Sequence, residues 1–178
     1  MQYHQSSKTM NDLLFATAFA KELEAEAPAT IKCLERIPAE LSKWKPHPKS
    51  MELGYLALLV AEIPLWITHI IKDSEIDFAT FAHQQATTPE ELVAHFKSNV
   101  AGAKEALLGV KDGTLDEIFY LKANGETLFS SPKHEQVEST INHLVHHRGQ
   151  LTVYMRLNDI AVPSIYGPSA DDKNFAGQ

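Results

Sequence analysis

The chain holds a single cysteine, Cys33, in 178 residues. An intrachain disulfide is excluded, so packing must do what covalent staples do elsewhere. Cys33 sits among apolar neighbours with no sequence-adjacent base to activate it, and it reads as a small buried residue. Positive charge is in deficit: 16 Lys and Arg face 23 Asp and Glu, for a net charge of -7. That balance argues against a general binder of nucleic-acid backbones, which needs a basic stripe. Long apolar runs are scarce as well. The best one, Leu56 to Ile67, is interrupted by Glu62 and Pro64 and is too short to span a bilayer. The first residues, Met1-Gln2-Tyr3-His4-Gln5, lack the basic start and apolar stretch of a signal peptide. No long internal repeat and no low-complexity segment is present. What the chain does have is apolar content, 44% and evenly spread, which suits one compact domain over residues 1–178. A cytoplasmic protein without nucleic-acid or membrane partners is the expectation.

Helical periodicity dominates. Leu13, Leu14, Ala16, Phe19, Leu23, Ala27, Ile31, Leu34 and Ile37 place a first helix over about 10–37. Pro28 should kink or break it near Glu26. Lys45-Pro46-His47-Pro48-Lys49-Ser50 must be a loop, with Ser50 as N-cap of a second helix over about 51–72. Pro64 should kink that helix. Residues 73–87 show no steady period. Thr88-Pro89-Glu90-Glu91 then combines an N-cap, a first-turn proline and a capping box, opening a third helix that stops near Gly109 or at the Lys111-Asp112-Gly113 turn. Ile118-Phe119-Tyr120-Leu121 and Thr127-Leu128-Phe129 flank Ala123-Asn124-Gly125-Glu126, which predicts a two-stranded hairpin. Ser131-Pro132 should cap the fourth helix, over about 132–157. Residues 159–178 read as a tail rich in turn formers. These elements make an all-α four-helix bundle with a small β-hairpin before the last helix.

The chemistry concentrates in the fourth helix. His143 and His147 stand four residues apart, which puts both imidazoles on one helical face, about 6 Å apart at Cβ. A divalent metal can take two ligands from such a pair, and the bland alternative is two polar residues at a partly wet edge of the bundle. Gln150 and Tyr154 follow on the same side, and His146 points about 100° away. Arg148 can pair with an acid or a substrate carboxylate. A third ligand would have to come from a facing helix. His69, His83, His95 and His134 are scattered and read as surface or capping residues.

The stretch Asn142-His143-Leu144-Val145-His146-His147-Arg148-Gly149-Gln150, followed by Tyr154-Met155-Arg156, Val162-Pro163 and Tyr166-Gly167-Pro168-Ser169-Ala170-Asp171, resembles the C-terminal signature of the DinB/YfiT-like superfamily. Lys45-Pro46-His47-Pro48-Lys49-Ser50-Met51 and Leu53-Gly54 through Ala61-Glu62-Ile63-Pro64 resemble its second-helix region. The resemblance implies an up-down-down-up bundle, often dimeric. It implies a metal site of three histidines, two of which map to His143 and His147. The third family position falls on Leu59, which cannot ligate. His69 lies about 15 Å further along that helix and on another face. Glu62, three residues on from Leu59, is the possible third ligand, and Tyr55 could line the same site.

Two functions follow from the resemblance. One is a divalent-metal-dependent thiol S-transferase or hydrolase, with zinc or nickel as the metal and a low-molecular-weight thiol such as bacillithiol, mycothiol or glutathione as co-substrate. In it Arg148, Gln150, Tyr154 and Tyr55 would contact substrate or orient ligands. The other is a catalytically degenerate dimeric scaffold or small-molecule binder without metal, suggested by Leu59.

Overall fold

The computed structural model describes residues 6–174. Its order is α1 (Ser6–Leu34), a 3-10 turn (Ala39–Leu41), α2 (Leu53–Lys72), β1 (Glu75–Asp77), α3 (Pro89–Leu108), a second 3-10 turn (Thr114–Asp116), β2 (Ile118–Ala123), β3 (Glu126–Pro132) and α4 (Lys133–Leu157). Side-chain contacts fix the direction of each helix. Asn99 of α3 donates to the Ala61 carbonyl of α2, and Lys72 pairs with Glu105, so α2 and α3 run parallel. Lys104 meets Glu24, and Glu35, just past the end of α1, lines a cavity with Pro89 and Lys97, so α1 and α3 are antiparallel. Lys133 donates to the Ile71 carbonyl while Trp66 lies against His143, so α4 runs against α2. The four helices thus go up, down, down and up, as the resemblance implies.

α2 is the core helix. Leu53, Leu56, Val60, Ile63 and Ile67 are fully buried. By length and composition α2 is a candidate membrane span, with a mean hydropathy of 1.6, which corrects the expectation that no stretch qualifies. Its burial against the other helices accounts for that apolarity, because 56% of the span lies inside the bundle.

The prolines do not break the helices. α1 is continuous through Pro28 and α2 through Pro64. In each case a neighbouring helix supplies a donor beside the proline turn. Arg148 Nη1 and Thr30 Oγ1 donate to the Glu26 carbonyl at 3.1 and 2.8 Å, and Asn99 Nδ2 donates to the Ala61 carbonyl at 2.9 Å. The expected break near Glu26 is therefore absent, and α1 ends at Leu34 rather than Ile37.

Two expected caps are also corrected. Glu52, not Ser50, is the N-cap of α2, and Pro132, not Ser131, that of α4; neither uses a side chain. The reason is backbone substitution: Leu53 N donates to the Trp44 carbonyl, Gly54 N to the Ser42 carbonyl, and Lys133 N to the Glu117 carbonyl, all within 2.9 Å. A Cβ at Gly54 would lie 2.9 Å from Ser42 Cβ, so this loop can press on α2 only because that residue is glycine. The Thr88 capping box and the Gly109 C-cap of α3 form as expected.

The hairpin forms with Asn124 and Gly125 both at positive φ, +52° and +81°, the signature of its tight turn. The sheet, however, has three strands in the order β1-β2-β3. β1 pairs in parallel with β2, Ile76 opposite Leu121, inside a segment expected to be irregular. Three residues are too short to show a strand period, so this strand exists only through its partner. Asp77 ties it to the hairpin by accepting from the backbone N–H groups of Asn124 and Gly125.

Candidate functional site

His143 and His147 project from adjacent turns of α4 and meet. Their Nε2 atoms are 2.7 Å apart. His147 is only 8% exposed, and His143 is half-buried. On its other side His147 Nδ1 lies 2.7 Å from Gln150 Oε1. An amide oxygen only accepts, so Nδ1 carries the proton and donates. In neutral His147 the Nε2 then holds a lone pair, and His143 Nε2–H is the donor of the shared hydrogen bond. Gln150 thus sets the tautomer of His147.

Burial makes both rings poor bases. It pushes His143 down to about 4, with the neighbouring His147 and then His146 adding to the effect. His147 is lowered too, mainly by burial, while its bond to Gln150 opposes the shift. Both imidazoles are therefore neutral near pH 7, the form that can ligate. His143 takes up its proton near 6.5 in the unfolded chain and resists until about 4 in the folded one. Stability should accordingly be full above 6.5 and fall by about 2 kcal/mol on acidification to 4, after allowing for the partial exposure of His143. Urea unfolding at the two ends of that window measures it. A His143→Leu variant that keeps the whole slope would refute the assignment.

α2 faces this pair with rings and hydrocarbon. Trp66 lies 5.3 Å from His143, centroid to centroid. Leu59, two turns earlier on the Trp66 side of α2, packs half-buried against the core. Glu62 is 1% exposed, and both its oxygens are engaged. Oε1 meets His83 Nδ1 at 2.7 Å and Oε2 accepts from Gln84 N at 2.9 Å. It anchors the 78–88 segment over α2. Gln84 is fastened in turn to Asn99 of α3 through its side-chain amide. Among the described residues no group of three or more His, Cys, Asp or Glu side chains is arranged to hold a metal ion.

The remaining expected site residues are dispersed. The Arg148 guanidinium turns toward α1, where it pairs with Glu26 at 2.6 Å and donates to Thr30 Oγ1 and Tyr166 Oη. Tyr154 packs edge-on against Trp44, at 5.5 Å. Tyr55 is exposed and lines a separate cavity of about 450 Å³ with Ser42, Lys43, Glu52 and Leu58. Of the proposed contacts only Gln150 touches the histidine pair. His69, His95 and His134 meet Asp73 and the carbonyls of Gln85 and Leu115, as ordinary surface and capping residues do. His83 is the residue sequence reasoning missed. It stands 21 positions from Glu62, in a segment with no period, and no local pattern could have joined them.

Similar proteins agree with this architecture. A Bacillus subtilis (strain 168) protein named as uncharacterized protein YrdA is 30% identical over 158 residues, which is 86% of this chain and 89% of that one. The crystal structure of a DinB-like protein, YjoA, from Bacillus subtilis superposes with a TM-score of 0.63 at 18% identity, covering 88% of this chain and 99% of that chain. A DinB-like protein from Bacillus cereus ATCC 10987 superposes with a TM-score of 0.66 at 22% identity, covering 89% and 99%. The sequence model described as DinB family matches residues 8–175. With nearly the whole length matched by that model and a relative 30% identical over most of both chains, the chain belongs to the DinB family.

Proposed function

We propose that the protein is a divalent-metal-dependent thiol S-transferase or hydrolase in which His143 and His147 hold the metal, zinc or nickel. The observation that supports it most is the pair itself: two neutral imidazoles with facing Nε2 atoms, one of them oriented by Gln150. Two Nε2 ligands on a tetrahedral zinc would stand about 3.3 Å apart. The observed 2.7 Å needs only a small opening and a tautomer change at His143. When bound, the metal would supply Lewis acidity and stabilise a thiolate or hydroxide. The chain's own residues do the rest. Gln150 holds the donor nitrogen of His147 in place, and the helix spacing sets the bite. With Leu59 opposite, the other coordination positions fall to water, a low-molecular-weight thiol or a partner subunit. Glu62 would have to give up the His83–Gln84 segment to serve.

Zinc titration into metal-free protein checks this. The parent should bind one equivalent per chain, and His147→Ala should weaken binding at least about tenfold, by about 1.4 kcal/mol. No stoichiometric zinc in the parent would end the metal reading. Leu59 supports a second reading, a scaffold or small-molecule binder without metal. In either reading we take the protein to work as a homodimer, supported by exposed Val153 and Leu157 on α4 and Leu128 and Phe129 on β3.

A further inference from the structure

The indole nitrogen of Trp66 is buried and has no hydrogen-bond partner. Among the described residues only Thr68 Oγ1 shares that condition, and Thr68 lies over Gly102 between α2 and α3. Trp66 instead stands beside the histidine pair. An indole N–H can only donate, and left unpaired in the interior it loses its hydration with nothing in return. Such groups are rare in folded proteins and call for a partner.

Trp66 is the centre of a wall of rings. His143 lies 5.3 Å from it, tilted by 50°. Phe81 meets it edge-on at 6.4 Å. Phe81 also touches His69 at 5.5 Å and His83 at 5.3 Å. The wall therefore runs without interruption from the histidine pair to the 78–88 segment. Its rings differ in what carries them. Trp66 and His69 are fixed on α2 and His143 on α4, whereas Phe81 and His83 ride on backbone that is neither helix nor strand. That segment is tied down at Phe81 itself, whose N–H donates to the Asp77 carbonyl at 2.8 Å, and beyond it, where Glu62 holds His83 and Gln84. A flat guest would reach Trp66 by displacing the Phe81 side chain, with the backbone ties on either side of it intact. The guest's acceptor must be uncharged, since the cation beside this turn of α4, Arg148, is spent on Glu26.

We propose that Trp66, Phe81 and His143 bind a flat, conjugated small molecule bearing a neutral carbonyl, whose oxygen accepts the Trp66 indole N–H. The proposal rests on the histidine cleft being a ligand site, and it needs no metal there. Guests of this class gain ring-on-ring contact and pair the orphaned donor together. A saturated ketone gains only the second, and a plain arene only the first.

The test uses the full chain in EDTA, with 4-nitroacetophenone as probe. Equilibrium dialysis should show one molecule bound per chain. Acetophenone should displace it better than cyclohexyl methyl ketone, and about three- to tenfold better than toluene, which lacks only the hydrogen bond. Trp66→Phe, which keeps an aromatic face and removes the donor, should weaken binding about three- to tenfold, the range of one hydrogen bond. The parent provides a readout that does not depend on any variant folding. Of its two indole N–H signals in nuclear magnetic resonance, that of Trp66 should move downfield on binding while that of Trp44 stays. Absence of binding, equal displacement by the saturated ketone, or an unmoved Trp66 signal would each overturn the proposal. Zinc content of the same preparation without EDTA is scored separately, so the metal reading can stand or fall independently.

Discussion

Leu59→His is expected to turn a weak two-ligand zinc site into a tight one. Leucine and histidine have similar volumes, and Leu59 is half-buried on α2 rather than locked in the deepest core. α2 and α4 run antiparallel with Trp66 beside His143, so a residue two turns before Trp66 stands about 10 Å further toward the end of α4. That is the level of Gln150, about one turn beyond His147. An imidazole there is expected to complete a three-histidine set with an open position. Zinc affinity should rise at least about 100-fold, or about 2.7 kcal/mol. Saturating zinc should then raise the melting temperature of the variant by about 5–10 °C more than that of the parent. Proton competition will not mask the effect at pH 7, because burial holds His143 near 4. Calorimetric titration of both proteins decides it. A parent that binds zinc as tightly as the variant would show that some other group already fills the third position, and the scaffold reading would lose its support.

Arg148→Met should produce the largest loss of stability. Arg148 is 1% exposed, and its guanidinium is shared between the Glu26 carboxylate, the Glu26 carbonyl, Thr30 and Tyr166. It thereby joins α1, α4 and the C-terminal tail at one point. Its removal leaves the Glu26 carboxylate largely buried, with only the Tyr166 hydroxyl for company. Breaking such a pair costs about 3–5 kcal/mol, which for a chain of this size lowers the melting temperature by about 10 °C. Removing both charges together, Glu26→Leu with Arg148→Met, should restore most of the loss, because the penalty lies in the stranded charge. A single variant that melts like the parent would return Arg148 to the list of ligand-contacting residues.

These two positions show where sequence reading reaches its limit. The pattern Leu59-to-Glu62 could be set against the family's second helix from sequence alone, and the missing ligand was visible there. Arg148 could be read only as a cation in search of an acid. Glu26 lies 122 residues away, beyond the reach of any periodicity. Glu62 looked available as a ligand because it shares a helical face with Leu59. Its actual partners, His83 and Gln84, come from a segment without pattern.

The sequence by itself determined the four helices, the α3 capping box, the Asn-Gly turn and the pairing of His143 with His147, because each depends on residues within a few positions of one another. Tertiary structure decided the rest. It gave α2 and α4 backbone caps in place of Ser50 and Ser131, and it made a strand of three residues beside β2. It also engaged Glu62 and Arg148 elsewhere and left the N–H of Trp66, whose ring lies against His143, without a partner. All of these depend on groups brought together across the bundle, where burial and hydrogen-bond satisfaction outweigh local preference.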